Sequence, residues 1–89
     1  MGMCAPSGGI ATTTGRNQRP EGPPNSRRDL LNPDGTRRQS RWFGPDGRAI
    51  WDRDYIHSDT TGTHVFPHDH EWVNGERGKN MPGINPEFC

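Results

Sequence analysis

The sequence predicts a small, mostly β domain, all-β or α+β, in which a three- to four-stranded antiparallel meander follows a disordered N-terminal arm. Three observations predict this class: a turn motif that occurs twice, aromatic and β-branched residues beside the turns, and a polar beginning rich in glycine and proline. Only 26% of the 89 residues are hydrophobic. A chain of this size and polarity buries a small core and is marginally stable unless a disulfide, a metal or a partner supports it.

The N-terminal part consists mainly of Gly, Pro, Ser, Thr, Asn and Arg, with few large apolar side chains. Such a segment cannot bury enough apolar surface to offset the entropy that it loses on ordering. We therefore expect residues 1–26 to form a flexible arm or linker and residues 27–89 to form the folded domain.

Two similar turn motifs, "NPDG" from Asn32 and "GPDG" from Gly44, divide the next part of the chain. Proline presets the first central dihedral of a turn, aspartate closes the turn through its side chain, and glycine supplies the positive φ that follows. In hairpins this chemistry gives a type I turn followed by a bulge. The two turns predict three strands, over residues 28–31, 36–43 and 48–56.

The third predicted strand carries different residues on its two faces. Alternation places Trp51 and Arg53 on one face and Asp52 and Asp54 on the other. With a one-residue bulge at the second turn, Arg38 comes opposite Asp54, a register that the sequence defines to within one residue. One face of the sheet would then be covered, and the other face would carry the functional residues.

Two further stretches complete the prediction. Residues 64–66, "HVF", can form a fourth strand that Pro67 ends, so that His68 and His70 emerge beside the sheet. Residues 75–89, "GERGKNMPGINPEFC", are too rich in Gly and Pro for a regular element. The cysteines, Cys4 and Cys89, either join the two ends in a disulfide or remain free thiols.

The formal net charge of zero is the sum of two unlike halves. Residues 1–48 contain eight arginines and four carboxylates, a balance of +4, and residues 49–89 contain three basic and seven acidic residues, a balance of −4. A local arginine surface can still bind phosphate. No apolar run is long enough for a membrane helix and the first residues lack the features of a signal peptide, so no membrane partner is expected.

Histidines and carboxylates concentrate in the second half, where histidine can exchange protons near neutral pH. Metal-free cleavage of RNA needs a base for the 2′-hydroxyl proton, an acid for the leaving oxygen and positive charge at the phosphate. The candidates for acid, base and the carboxylate that orients them are Asp52, Asp54, His57, His64, His68 and His70. The candidates for RNA contacts are Arg38, Arg41, Arg48, Arg53, Trp51 and Trp72. On this prediction the reaction needs no cofactor.

Two alternatives stay open. A divalent metal such as zinc can be bound by His64, His68 and His70, because residues two apart in an extended chain point to the same side. The other alternative is a non-enzymatic interaction module, in which the histidines hydrogen-bond loop backbone and the carboxylates pair with arginines.

The order of these motifs resembles that of a known class of bacterial domains. "GPDG", an aspartate, any, aspartate, tyrosine step that reads "DRDY" here, and the ending "PHDHEW" are similar to the C-terminal modules of bacterial polymorphic toxins. The likeness extends from Asp29 to Trp72, about half the chain. The positions that match it are Asp52, Asp54, His57, His64, His68 and His70.

This resemblance implies a toxin domain of the ribonuclease type at the tip of a larger delivery chain, to which the N-terminal arm would connect it. It also implies a secreted or injected effector that acts on RNA in the cytoplasm of a target cell, and a cognate immunity protein that binds and blocks it. Arg53 stands at the variable place of the "DRDY" step, where it adds a phosphate contact or fills the opposite face.

Overall fold

The residues that the structure describes form a six-stranded β-sheet. The computed structural model describes residues 3–55, 67–82 and 87–88. The strands are β1 (Ile10–Thr14), β2 (Arg27–Leu31), β3 (Arg37–Phe43), β4 (Ala49–Asp54), β5 (His68–Val73) and β6 (Glu76–Pro82), and they lie in the sheet in chain order. These ranges contain no helix, so the predicted mostly β class is confirmed. They also contain no helix that is long and apolar enough to cross a bilayer.

The strands from β2 to β6 form the predicted antiparallel meander, with five consecutive strands rather than three or four. The turns confirm the expected chemistry, since Gly35 and Gly47 adopt φ values of 88° and 78°. Their amides donate to the carbonyls of Asn32 and Gly44 at 2.9 and 3.0 Å. Each turn is therefore closed by a hydrogen bond from the glycine amide to the backbone carbonyl three residues earlier.

The last hairpin lies where no regular element was expected. Asn74 and Gly75 adopt φ values of 52° and 79°, and these two left-handed residues form the tight turn that joins β5 to β6. An Asn-Gly pair between two extended runs is the strongest short-range hairpin signal in a sequence. This turn makes β6 the edge strand of the sheet.

The opposite edge strand, β1, lies inside the segment for which a flexible arm was expected. It pairs with β2 in parallel, from Ile10 opposite Arg27 to Thr14 opposite Leu31. Four of its five residues are exposed, so backbone hydrogen bonds rather than apolar burial hold it in place. A prediction from composition considers only how much apolar surface a segment can bury, so it does not detect a strand that backbone hydrogen bonds hold in place.

A bulge shifts the register of β3 and β4 by one residue from the expected one. Phe43 lies opposite Ala49 and Trp42 lies opposite Trp51, which leaves Ile50 as the extra residue. Arg41 therefore lies opposite Asp52, and Gln39 rather than Arg38 lies opposite Asp54. The predicted register included a bulge at the turn but not the second bulge, at Ile50.

Another bulge changes the direction of the Arg38 side chain. Leu30 pairs with Gln39 and Leu31 pairs with Arg37, so Arg38 is the extra residue in β3. As a result Arg38 points to the same face of the sheet as Gln39, and Arg37 points to the opposite face. The Arg37 guanidinium lies over the Tyr55 ring at 4.5 Å, whereas Arg38 lines a cleft with Asp54.

One face of the sheet, here called the core face, carries the aromatic core. Phe88 stacks on Trp51 at 4.7 Å between ring centroids and meets Trp42 edge-on at 5.2 Å. The indole N–H of Trp42 donates to the Met3 carbonyl at 3.0 Å, and the Met3 amide donates to the Glu87 carbonyl at 2.7 Å. The two ends of the described chain therefore meet over this core.

Cysteine chemistry supports the same closure. Cys4 is disulfide-bonded rather than a free thiol. The sequence contains two cysteines in all.

The predicted fourth strand, residues 64–66, lies outside the described residues. Its neighbours His68 and His70 belong to β5, so they project from within a strand and not from beyond the end of one.

Candidate functional site

The other face of the sheet, here called the site face, brings Asp54 of β4 together with His68 and His70 of β5. Asp54 is the cross-strand partner of His68, and the two histidines share a face because they are two residues apart in a strand. Nε2 of His68 lies 3.1 Å from Asp54 Oδ2, and Nε2 of His70 lies 3.5 Å from the same oxygen. Both imidazoles are more than nine-tenths buried. These three residues are called the histidine cluster below.

Asp54 is held by partners on three strands. Gln39 Nε2 donates to Oδ1 at 2.9 Å, and Arg77 Nη2 donates to Oδ2 at 2.7 Å. Burial acts to raise the pKa of Asp54, but the hydrogen bonds from Gln39 and Arg77 and the charges of Arg77 and His70 outweigh it. The pKa of this carboxyl therefore lies below its ordinary value, and the group is an anion at neutral pH.

The His70 ring is oriented by the edge strand. Its Nδ1 donates a hydrogen bond to the Gly78 carbonyl at 2.8 Å, because a carbonyl oxygen can only accept. A side chain at Gly78 would place Cβ 2.8 Å from the Glu71 carbonyl, so glycine permits β6 to approach this closely. With Nδ1 protonated, a neutral His70 presents the lone pair of Nε2 toward the centre of the cluster.

A chain of ion pairs borders the histidine cluster. Arg41 donates to both oxygens of Asp52 at 2.7 and 2.8 Å, and Arg77 Nε donates to Asp52 Oδ2 at 2.9 Å. Asp52 and Arg41 are buried, but the Arg77 side chain is 36% exposed. Arg77 thus bridges Asp52 and Asp54 from the solvent side.

A polar cleft of about 180 Å³ opens beside Asp54. It is lined by Arg16, Asn17, Leu30, Arg38, Gln39, Asp54 and Arg77. Three of these residues are cationic and one is anionic, which makes the cleft suitable for an anion. Among the described residues, Arg16 and Arg38 form no ion pair, so their charges are available to a ligand. This feature is called the arginine cleft below.

The histidine cluster also has the composition of a metal site. One ligand atom from each of Asp54, His68 and His70 can be chosen so that all three lie within 4.8 Å of one another. The bond from His70 Nδ1 to a backbone carbonyl is the arrangement that orients a metal-binding histidine through its other nitrogen. Against this, the Arg77 guanidinium already neutralises the shared carboxylate oxygen. Arg77 would have to leave before a dication could bind there.

The structure divides the sequence-predicted residues between the two faces. Asp52, Asp54, His68, His70, Arg38, Arg41 and Trp72 lie on the site face. Arg53 and Trp51 lie on the core face, where Arg53 is paired with the buried Asp69 at 2.8 Å and Trp51 is stacked on Phe88. They cannot contact a ligand at the histidine cluster, and the hydrogen bond and charge of Asp69 raise the pKa of Arg53. His57 and His64 lie outside the described residues.

The arginines on the site face also differ in their availability. Arg41 has Asp52 as partner, donates to the Gln18 carbonyl at 2.7 Å and covers the Trp72 ring at 4.8 Å. It therefore positions other groups and is not free to bind a phosphate. Arg48 is exposed at the second turn and lines a separate cavity with Trp72.

Sequence reasoning missed four residues that build the site: Arg16, Gln39, Arg77 and Gly78. The Asn-Gly pair at positions 74–75 is a signal for the β5–β6 hairpin, and this hairpin places Arg77 directly opposite Trp72 on the site face. Arg16 had no such signal, because its position depends on the path of the chain between β1 and β2.

No family model, no curated protein and no solved structure matches this chain.

Proposed function

We propose that the protein is an endoribonuclease that cleaves RNA without a metal ion, using the histidine cluster for proton transfer and the arginine cleft for phosphate binding. One observation carries the proposal: two imidazole Nε2 atoms converge on one carboxylate beside a cleft with three arginines. The arginine cleft has three arginines and one carboxylate before any metal is added, and this balance favours an anionic ligand over a dication.

His70 is suited to act as the base. Its Nδ1–H is fixed by the Gly78 carbonyl, which leaves Nε2 as the proton acceptor for the ribose 2′-hydroxyl. The 2′-oxygen then forms a bond to phosphorus as the bond from phosphorus to the 5′-oxygen breaks. The products are a 2′,3′-cyclic phosphate and a free 5′-hydroxyl.

His68 is suited to act as the acid. Its Nε2 lies 3.1 Å from Asp54 Oδ2, and the carboxylate stabilises the protonated imidazole, which then gives its proton to the departing 5′-oxygen. Arg77 is partly exposed and shares the same oxygen, so an arriving phosphate can draw its guanidinium away from Asp54. Arg16 and Arg38 would hold the phosphate from the other side of the cleft.

A metal-dependent hydrolase is the second candidate, because the three ligand atoms of Asp54, His68 and His70 lie within reach of one ion. The expected set of His64, His68 and His70 is not tested, because His64 lies outside the described residues. An imidazole pair with one carboxylate suits zinc and leaves a position open for water. Occupancy requires that Arg77 be displaced from Asp54 Oδ2.

The biological setting is part of the proposal and is supported by the sequence resemblance to polymorphic toxin modules. We infer a secreted or injected bacterial effector, joined through its N-terminus to a delivery chain and blocked by an immunity protein. Its RNA substrate would lie in the cytoplasm of the target cell.

The test incubates the purified untagged protein with total RNA, with and without a chelator, and analyses the new ends. We expect cleavage that survives the chelator, 2′,3′-cyclic phosphate ends and no cleavage at a 2′-deoxy position. His70→Ala should reduce the rate by about 10²-fold or more, because it removes the base. Glu71→Gln, an exposed change on the opposite face of the same strand, should retain full activity.

Other outcomes decide between the candidates. Activity that the chelator abolishes and zinc restores would replace the metal-free mechanism with the second candidate. Absence of cleavage by a protein whose circular dichroism shows a folded sheet would leave an interaction module.

A further inference from the structure

A second cavity lies on the site face beyond the histidine cluster. Its volume is about 270 Å³, and it is lined by Pro20, Glu21, Arg48, Ala49, Trp72 and Gly75. At roughly 30 Å³ per water molecule this space holds about nine waters. It is large enough for one nucleobase and smaller than the roughly 300–1,000 Å³ of pockets for drug-sized ligands. We call it the Trp72 cavity.

Two opposite charges face this cavity without pairing. Glu21 and Arg48 form an isolated antiparallel bridge through their backbones, a geometry in which opposed Cβ atoms lie about 5 Å apart. Within the part of the chain that the structure describes, neither the Glu21 carboxylate nor the Arg48 guanidinium has a hydrogen bond or an ion pair. The carboxylate and the guanidinium belong to residues that both line the cavity, and the hydrogen-bonding capacity of each group is unused.

The aromatic wall of the cavity is Trp72. Arg41 lies over its ring at 4.8 Å, which fixes the plane of the indole. The indole N–H is buried and has no hydrogen-bond partner among the described residues. Trp72 therefore offers the cavity a rigid flat surface, while its indole N–H is enclosed by the protein.

We propose that the Trp72 cavity binds a guanine base of the RNA substrate and so gives the enzyme its base preference. This inference rests on the proposed ribonuclease function. Trp72 follows His70 by two residues on the same face of β5, a separation of about 6.6 Å along a strand. A nucleotide whose ribose and phosphate contact His70 can place its base at this distance.

Guanine matches the two charges better than the other bases do. Its N1–H and N2–H donate side by side, so both can reach the carboxylate oxygens of Glu21, and its O6 accepts from Arg48. Adenine has a lone pair at N1 and would turn it toward the carboxylate. Cytosine and uracil offer a single donor group at this edge. Stacking on Trp72 adds affinity for any base, so the discrimination comes from Glu21 and Arg48.

The test measures binding of the four nucleoside 3′-monophosphates to the protein by calorimetry and, separately, maps the bases beside the cleavage sites in a mixed-sequence RNA. We expect 3′-GMP to bind about tenfold to a hundredfold more tightly than the others. Glu21→Gln should remove this preference, because the amide repels one of the two guanine donors. Glu71→Gln removes the same charge on the opposite face and should leave the preference intact.

The two measurements separate this inference from the function on which it rests. A guanine preference in binding without RNA cleavage would support the cavity and overturn the ribonuclease. Cleavage with equal binding of all four nucleotides, or with a preference for 3′-CMP, would overturn the guanine assignment and leave the ribonuclease standing. A preference that Glu21→Gln does not change would also overturn the assignment.

Discussion

Asp54 is the residue on which the chemistry of the site depends. One of its oxygens lies within 3.5 Å of two imidazoles and 2.7 Å from a guanidinium, and the other accepts from Gln39. A carboxylate with this many donors is stabilised as an anion.

The lowered pKa of Asp54 predicts an acid-sensitive stability. Its folded pKa lies below the unfolded value of about 3.9, so between these values the unfolded chain binds more protons and stability rises with pH. The contribution is present above about pH 4 and is lost as pH falls through the folded pKa. We expect the free energy of unfolding, measured in urea, to fall less steeply in Asp54→Asn than in the parent as pH is lowered from about 5 to about 3. This range extends about one unit either side of 3.9.

The control for this measurement is Glu71→Gln, which removes an exposed carboxylate from the core face of β5. It should retain the slope of the parent. If Asp54→Asn retained that slope as well, the ionic partners of Asp54 would contribute nothing to its ionisation.

Two adjacent arginines provide a matched test of the arginine cleft. Arg38 lines the cleft, and Arg37 lies over Tyr55. In a His70→Ala background, Arg38→Ala should weaken binding of a single-stranded RNA and reduce the slope of log K against log salt by about 0.7, the value for one lost phosphate contact. Arg37→Ala should change the slope little. Equal effects of the two changes would indicate a diffuse attraction and not a phosphate site.

At the scale of elements, the turns place the site residues. The β3–β4 turn and the β5–β6 turn each end in a glycine with positive φ, and these hairpins set the partners of Asp54 and His70. The surroundings of the two glycines differ. A Cβ at Gly75 would meet nothing within 4 Å, but one at Gly47 would lie 2.7 Å from the Gly22 carbonyl oxygen.

Alanine at these two turns should therefore have unequal costs. Gly75→Ala should destabilise the protein by about 1–2 kcal/mol, the ordinary penalty for a left-handed residue with a side chain. Gly47→Ala should cost more, because the backbone of residue 22 must also move. Urea denaturation of both variants measures the difference. Equal losses would show that the contact between the second turn and Gly22 is loose.

At the scale of the whole molecule, stability depends on closure of the chain more than on a large core. Among the residues that the structure describes, the buried apolar ones are Leu30, Trp42, Phe43, Ala49 and Phe88. In the same part of the chain the buried polar and charged residues are more numerous, and they include the ion pairs on both faces. A core of this kind contributes little on its own, so the closure at Cys4 and Met3 becomes important.

The disulfide at Cys4 predicts a strong dependence on redox conditions. Reduction should lower the free energy of unfolding by about 2–5 kcal/mol, the range for native disulfides in small domains. Denaturation with and without reductant measures the change. Cys4→Ser should match the reduced parent and be insensitive to reductant. If the reductant did not change the free energy of unfolding of the parent protein, the sheet alone would be holding the ends together.

The face on which several site residues lie can be predicted from local sequence, because it depends only on alternation along a strand. Alternation along a strand placed Asp52 and Asp54 on one face, and the two-residue spacing placed His68 and His70 on one face. The partners of these residues required long-range information. Arg41 is paired and buried while Arg38 is available, and this difference results from two bulges that no periodicity reveals.

The mostly β class, the two Pro-Asp-Gly turns and the alternation that gives the sheet unlike faces can be predicted from local sequence, because each depends on a few adjacent residues and their backbone preferences. Three other features depend on the folded chain: the N-terminal segment adds a parallel strand, Arg77 reaches Asp54, and the ends of the described chain meet over Trp42. These contacts join residues far apart in the chain, and a register shift of one residue is enough to reassign every one of them within the sheet.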